Sequence, residues 1–283
     1  MRLNAHHLLG LLLLASACDS PGAAEPEATR THALLRVERS TQVGESGEPS
    51  GNAFAAVVRV PELADPEPLL RLSGKTPSLP APGQCLAANH ERDAAAAADL
   101  ARAEFLDAGD VLLGANDAQT LLAPHPLPLE VLGKVYTSRD RASEPLPSGA
   151  AYLLKTTGSD QLPSLELRVQ APEELRGVAV GGAPLAGLSS LSSSGALPVT
   201  WQAGDARDVV YVEVIGSPEA GSLGVCAFRD ADGHGQLPHG LFGASGAGSL
   251  SFHRLREVAA DVPALDGAEV RFDFALTAQV SYN

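Results

Sequence analysis

From Ala268 to Tyr282 the chain alternates without a break. Ala268, Val270, Phe272, Phe274, Leu276, Ala278, Val280 and Tyr282 fall on one side. Glu269, Arg271, Asp273, Thr277, Gln279 and Ser281 fall on the other, with Ala275 the one apolar exception. Side chains of an extended chain point to opposite faces in turn, so this period of two predicts an antiparallel strand with one face on a core and one on solvent. It is long for a strand, and is expected to bend or to pass between two sheets.

The rest of the chain breaks into shorter runs of the same kind. HALLRVER and NAFAAVVRV flank TQVGESGEPSG and suit a hairpin with a long loop. Residues 61–83 are proline-rich, which keeps regular structure there short. In HERDAAAAADLARAEF the alanines and Asp93, placed near an N-cap, predict a brief helix around 92–100, followed by a strand. LDAGDVLL, LEVLGKVY, AYLLKT, SLELRVQ, PVTWQAG, DVVYVEVIG, SLGVCAF and SLSFHRLREV read as further strands, and GLSSLSSSGALP as a loop. There is no βαβ rhythm and no internal repeat. The expected fold is mainly β, an antiparallel β-sandwich or barrel-like sandwich with at most one short helix. It would occupy residues 31–283, with a subdivision near 171.

Hydrophobic residues make up 45% of the 283, enough for a core, but aromatics are only 4%, so Leu, Val and Ala must build most of it. The formal net charge of −14 argues against nucleic acid and anionic headgroups, which need basic patches. The scarcity of Ile, Met and Lys beside plentiful Ala, Gly, Arg and Pro follows codon composition and carries no functional message.

The other end of the chain states an address. Arg2 precedes the apolar run Leu8-Leu9-Gly10-Leu11-Leu12-Leu13-Leu14, then the small residues Ala15-Ser16-Ala17, then Cys18. A basic start, a short apolar stretch and small residues form a secretory signal, too short to span a bilayer. Leu14-Ala15-Ser16-Ala17-Cys18 resembles the lipobox of bacterial lipoproteins, which more often carry Leu where Ala15 stands. The resemblance implies cleavage by signal peptidase II after residue 17, a thioether-linked diacylglycerol on Cys18, and an acyl chain such as palmitate on its new amino group. Three acyl chains hold a protein to a lipid bilayer where one does not. An ordinary secretory signal with a chance cysteine is the alternative. Asp19 holds such proteins at the inner membrane in enteric bacteria, a rule that does not extend to all bacteria; the outer membrane is favoured, with the side open. Residues 18–30 read as the lipidated cysteine and a flexible tether. The body is similar to β-rich bacterial lipoproteins of unassigned activity, through Gly133-Lys134-Val135-Tyr136, Trp201-x-x-Gly204 with DVVYVEV, and a cysteine-containing hairpin.

With Cys18 used by lipid, Cys85 and Cys226 remain. In an exported chain they are candidates for a disulfide, two separate buried thiols being the alternative. Asp230-Ala231-Asp232-Gly233-His234-Gly235-Gln236-Leu237 resembles the start of an EF-hand-type calcium loop, but His234 and Leu241 stand where oxygen ligands are needed. A zinc version would use Asp230, Asp232, His234 and His239, without a framing motif. The plainer reading is a hairpin turn at Asp232-Gly233, and no cofactor is expected. Ser245 in Gly243-Ala244-Ser245-Gly246-Ala247 fails the nucleophile elbow at its last position. Asp107 and Asp110 could pair as acid and base or be turn residues. The expectation is a non-catalytic envelope protein that binds a protein or glycan or serves a structural role. The alternative is a metal-dependent or hydrolytic enzyme working through the Asp230–His239 loop.

Overall fold

A computed structural model describes residues 28–44, 49–62, 79–87, 103–126, 133–138, 146–191, 195–216, 222–242 and 246–282. The signal segment, Cys18, nearly all of the tether, the helix expected at 92–100 and Ser245 lie outside them.

The chain starts with a long hairpin, β1 (Thr29–Gln42) and β2 (Ser50–Pro61), followed by β3 (Cys85–Ala87) and β4 (Glu104–Phe105). Next come β5 (Val111–Ala115), β6 (Ala118–Pro126), β7 (Lys134–Thr137), β8 (Ala151–Thr156) and β9 (Glu166–Gln170). Short strands follow: β10 (Ala179–Val180), β11 (Ala183–Pro184), β12 (Ser190–Leu191) and β13 (Leu197–Thr200). The chain finishes with β14 (Val209–Ile215), β15 (Ser222–Arg229), β16 (His234–Leu237), β17 (Gly246–Ala260) and β18 (Gly267–Tyr282). The helical pieces among the described residues are single 3-10 turns. The fold is mainly β, as the alternating runs require.

The main sheet runs β3-β15-β14-β17-β18-β1-β2-β7-β6-β5-β8-β9, and a second sheet runs β11-β10-β13-β16. Neither closes into a barrel: β3 and β9 stand at opposite ends of the main sheet. Most neighbours are antiparallel, but β1 lies parallel to β18, from His32 opposite Gly267 to Gln42 opposite Thr277. A parallel neighbour needs a long crossover; here almost the whole chain supplies it.

Two cores lie along the β17–β18 hairpin. In the first, Leu35, Val37, Ala55, Val57, Phe272 and Phe274 pack with Val111, Leu113, Tyr152, Leu154 and Val169, so β5, β8 and β9 lie over β1, β2 and the start of β18. In the second, Val210, Val212, Cys226, Phe228, Leu250, Phe252 and Val280 meet Val180, Val199 and Leu237 from the small sheet and Trp201 just after β13. β18 serves both. Its neighbour is β1 up to Thr277 and then β12, with Ser190 beside Ser281. Its polar face departs from the expected half-exposed pattern: Arg271, Asp273 and Thr277 are buried. That side carries apolar clusters of its own, Leu34 with Phe54, Val58 and Phe105, and Tyr211 with Val225, Ala227 and Leu255.

Candidate functional site

The inward face of β17 reads Leu250, Phe252, Arg254, Arg256, Val258. The first two belong to the second core and Val258 packs on the first, so the two arginines stand where the cores meet. Both are buried, at 3% and 6% exposure. A buried guanidinium must find acceptors for its fixed fork of donors. Arg254 Nη2 donates to Asp230 Oδ1 at 2.9 Å and to the Gln202 carbonyl at 3.0 Å, and Nη1 to the carbonyls of Glu173 and Glu174 at 3.0 and 3.2 Å. Arg256 holds Asp208 with two bonds, Nε to Oδ1 at 2.6 Å and Nη2 to Oδ2 at 2.8 Å, and gives Nη1 to the Gln170 carbonyl at 3.2 Å. Gln170 ends β9 and Glu173 and Glu174 lie on the segment that leads from the first core to the second, so these bonds fasten that crossing to β17.

Asp230 is therefore committed to the interior. It is 0% exposed, and its Oδ1 also accepts from Trp201 Nε1 at 3.0 Å. Burial pushes its carboxyl above the usual range, against the pull of Arg254. Oδ2 sits against Gly204, where an added Cβ would come within 2.2 Å. No other residue type fits there without movement. This gives Trp201-x-x-Gly204 and the Asp208 that opens DVVYVEV a structural role: these segments hold the buried ion pairs. Trp201 and Gly204 were legible in the sequence; Arg254 and Arg256 were missed.

The metal ligands proposed for this loop are not assembled. Asp230 points inward to Arg254, while Asp232 and His234 lie exposed on the far side of a 3-10 turn closed by Gly233 at φ 68°. The His234 ring nitrogen Nδ1 is 2.7 Å from the Asp232 carbonyl, and His239 belongs to the next turn, Pro238–Phe242. Among the described residues no three His, Cys, Asp or Glu side chains are grouped to hold a metal ion. The desolvated Asp230 carboxylate serves the arginine rather than the loop surface. An open cleft of about 430 Å³ lies here, lined by Pro82, Gly83, Arg229, Asp232, His234 and Gln236 among others.

Asp107 and Asp110 do not form a carboxylate pair. Asp107 Oδ1 accepts from the Gly109 N–H at 2.9 Å, a turn bond, and from Tyr136 Oη at 2.9 Å, while Lys134 Nζ pairs with Oδ2. The lysine bond, helped by the Gly109 N–H, holds the Asp107 carboxyl below its usual range. Burial pushes the Tyr136 hydroxyl up to about 12. The Asp110 N–H goes to Thr157 Oγ1 at 2.9 Å. Asp107 and Lys134 line a cleft of about 600 Å³ with Glu104, Ser159, Asp160 and Gln161. Lys134, Val135 and Tyr136 thus act as a brace for the Asp107 turn. Gly133, at φ 91°, presses on the Phe105 carbonyl, which leaves no room for a side chain.

A third polar group, unread in the sequence, lies on the outer face of the main sheet. Tyr211 Oη donates to Asp273 Oδ2 at 2.5 Å, His253 Nδ1 is 2.8 Å from Asp273 Oδ1, and the Tyr211 and His253 rings stack with centroids 4.2 Å apart. Beside them Ser251 Oγ meets Thr277 Oγ1 at 2.7 Å. Histidine and aspartate here resemble part of a relay, but the nearby hydroxyls are engaged with each other or with Asp273. The group ties β14, β17 and β18 together.

Cys85 and Cys226 are joined as a disulfide. They face each other across the β3–β15 ladder, and the bond clamps the outermost strand to the main sheet.

No family model matches the chain, and no curated protein does. Among solved structures it is similar to the Fcho1 Mu homology domain of Danio rerio with bound Eps15 peptide. The match has a TM-score of 0.27 and 12% identity, over 91% of this chain and 98% of that one. A score this low defines no common fold, and no role is transferred from it.

Proposed function

We propose that this chain is a lipid-anchored protein of the bacterial cell envelope, with a β-sandwich body that binds a partner protein or glycan or serves a structural role and does not catalyse. The division of its cysteines carries the reading. Cys18 ends a signal-like apolar run within Leu14-Ala15-Ser16-Ala17-Cys18. Cys85 and Cys226 are bonded to each other, which suits the oxidising compartments outside the cytosol. The first cysteine is thereby left for the acyl chains. The absence of catalysis is supported by the use of the ionisable groups: Asp230, Asp208, Asp107 and Asp273 each hold a neighbouring cation or hydroxyl in place.

Expression with labelled palmitate tests the anchor. The parent chain takes up label and partitions into detergent, and Cys18→Ser does neither. Equal partitioning of the two proteins would overturn the anchor. Pulldowns from envelope extracts and glycan arrays test the binding role, which loses its support if both stay blank.

A further inference from the structure

We infer that the anchored molecule stands end-on to the bilayer, with its first core beside the lipid and its second core at the far end of a sheet about 50 Å long. This rests on the lipid anchor proposed above and names the surface that anchor displays.

The topology sets the direction. β1 starts at Thr29, opposite Pro61 at the end of β2. Parallel pairing puts the same end of the sheet beside the start of β18, where Ala260 and Ala268 close the β17–β18 hairpin. From that end β1 and β18 run the same way, past the first core toward Gln42 and Tyr282. Tyr282 and Gly246 lie opposite each other at the far end, with the second core beneath them. The sixteen residues of β18 span about 50 Å at ~3.3 Å each.

Ten residues separate Cys18 from Thr29. Fully extended they reach about 35 Å, and as a coil about 17 Å. The anchored end therefore stays nearer to the lipid than the sheet is long. Lying flat would bring more of a protein with a net charge of −14 against anionic headgroups, which costs electrostatic energy. The end itself carries Glu62, Asp261 and Asp266 beside Arg30, so it does not adsorb and hangs on its tether. The cleft at Asp107 and Lys134 then belongs to the bilayer half, since β4 pairs with Val58 and Arg59 near the start of the hairpin. The cleft at Arg229, Asp232 and His234 lies near the middle of the sheet, since Arg229 is level with Val209, Leu255 and Asp273.

The test uses the full lipidated chain in phosphatidylglycerol–phosphatidylethanolamine vesicles that carry an acceptor dye. A donor dye is attached at Asp261→Cys or at Ser190→Cys, both exposed positions at opposite ends, with the native disulfide intact. Transfer from 261 should exceed that from 190 by about threefold or more, given the ~50 Å between them. Equal transfer, or more from 190, overturns the orientation. Failure of the anchor reads differently: the parent chain then does not sediment with vesicles, or Cys18→Ser sediments equally well, and the orientation falls with it. Thermal unfolding of both labelled variants, unchanged from the parent, excludes a folding artefact.

Discussion

The two cores are built by different means. In the first, the covering layer is the same sheet bent back on itself. β5 and β8 are five and six residues long and connect through β6 and β7 to β2 by continuous ladders. Leu, Val, Ala, two tyrosines and two phenylalanines fill the space. In the second, the cover is a separate sheet whose strands have two to four residues. Strands that short are not stable alone. They are held by Trp201 and Leu237 in the core, by Arg254 on Asp230 and Gln202, and the sheet they cover is clamped by the disulfide. Where ladders are long, apolar packing completes the layer; where they are short, the chain adds a covalent bond and buried ion pairs.

The largest break should come from the disulfide. It closes a sequence separation of 141 residues, and in the chain-entropy model a loop of that size stabilises by about 5 kcal/mol. Cys85→Ala with Cys226→Ala should lower the urea midpoint accordingly. Hydrogen exchange should rise first in β15 and β14, while β5 and β8 keep their protection. Uniform loss across both halves would show that the two cores are not separable in this way.

Next in size is Arg254→Met. Removing one partner of a buried pair leaves an uncompensated charge, a loss of about 3–5 kcal/mol. The exchange signature should fall on β10, β13 and β16. Arg254→Met with Asp230→Leu should recover much of the loss, because the stranded charge is gone. The control in the first half is Arg168→Met: its pair with Glu166 is exposed and should cost less than about 1 kcal/mol. A smaller, local effect is expected for Gly204→Ala, whose Cβ would crowd Asp230 and Arg254; overpacking of this kind costs about 1–3 kcal/mol.

The contrast also separates what was legible in the sequence from what was not. The period of two located β1, β2, β5, β8, β9, β14, β15, β17 and β18, because each has one face fully committed to a core. Of the small sheet, PVTWQAG marked β13, while two-residue strands such as β10 and β11 are too short to show a period. The parallel pairing of β1 and β18 was also illegible, since alternation looks the same in either direction. The arginine pair did leave a signal. In SLSFHRLREV, Arg254 and Arg256 share the face of Leu250, Phe252 and Val258, and a charge on an apolar face implies a buried partner. Their partners Asp208 and Asp230 lie 48 and 24 positions away, a pairing only the fold supplies. The same distance hid the role of Asp230 and made its loop look available for metal.

The finest distinction is in pH. Asp107, in the first half, has its carboxyl lowered by Lys134 and the Gly109 N–H. Between its folded pKa and the unfolded value near 3.9, the unfolded chain binds more protons, so stability falls as pH falls. Asp230, in the second half, is shifted the other way, chiefly by burial. Above about 3.9 the folded state then holds its proton longer than the unfolded one, so this group's contribution falls as pH rises through that window. Replacing each by Asn should thus change the slope of stability against pH with opposite signs. Asp107→Asn should flatten the acid loss, and Asp230→Asn, although less stable throughout because Arg254 is stranded, should remove the opposing slope. Urea midpoints measured in steps from pH 3 to 6 resolve the two. Slopes of the same sign would mean that Arg254 keeps Asp230 ionised, and that the ionic clasp of the second core and the Lys134 brace of the first work by the same electrostatics.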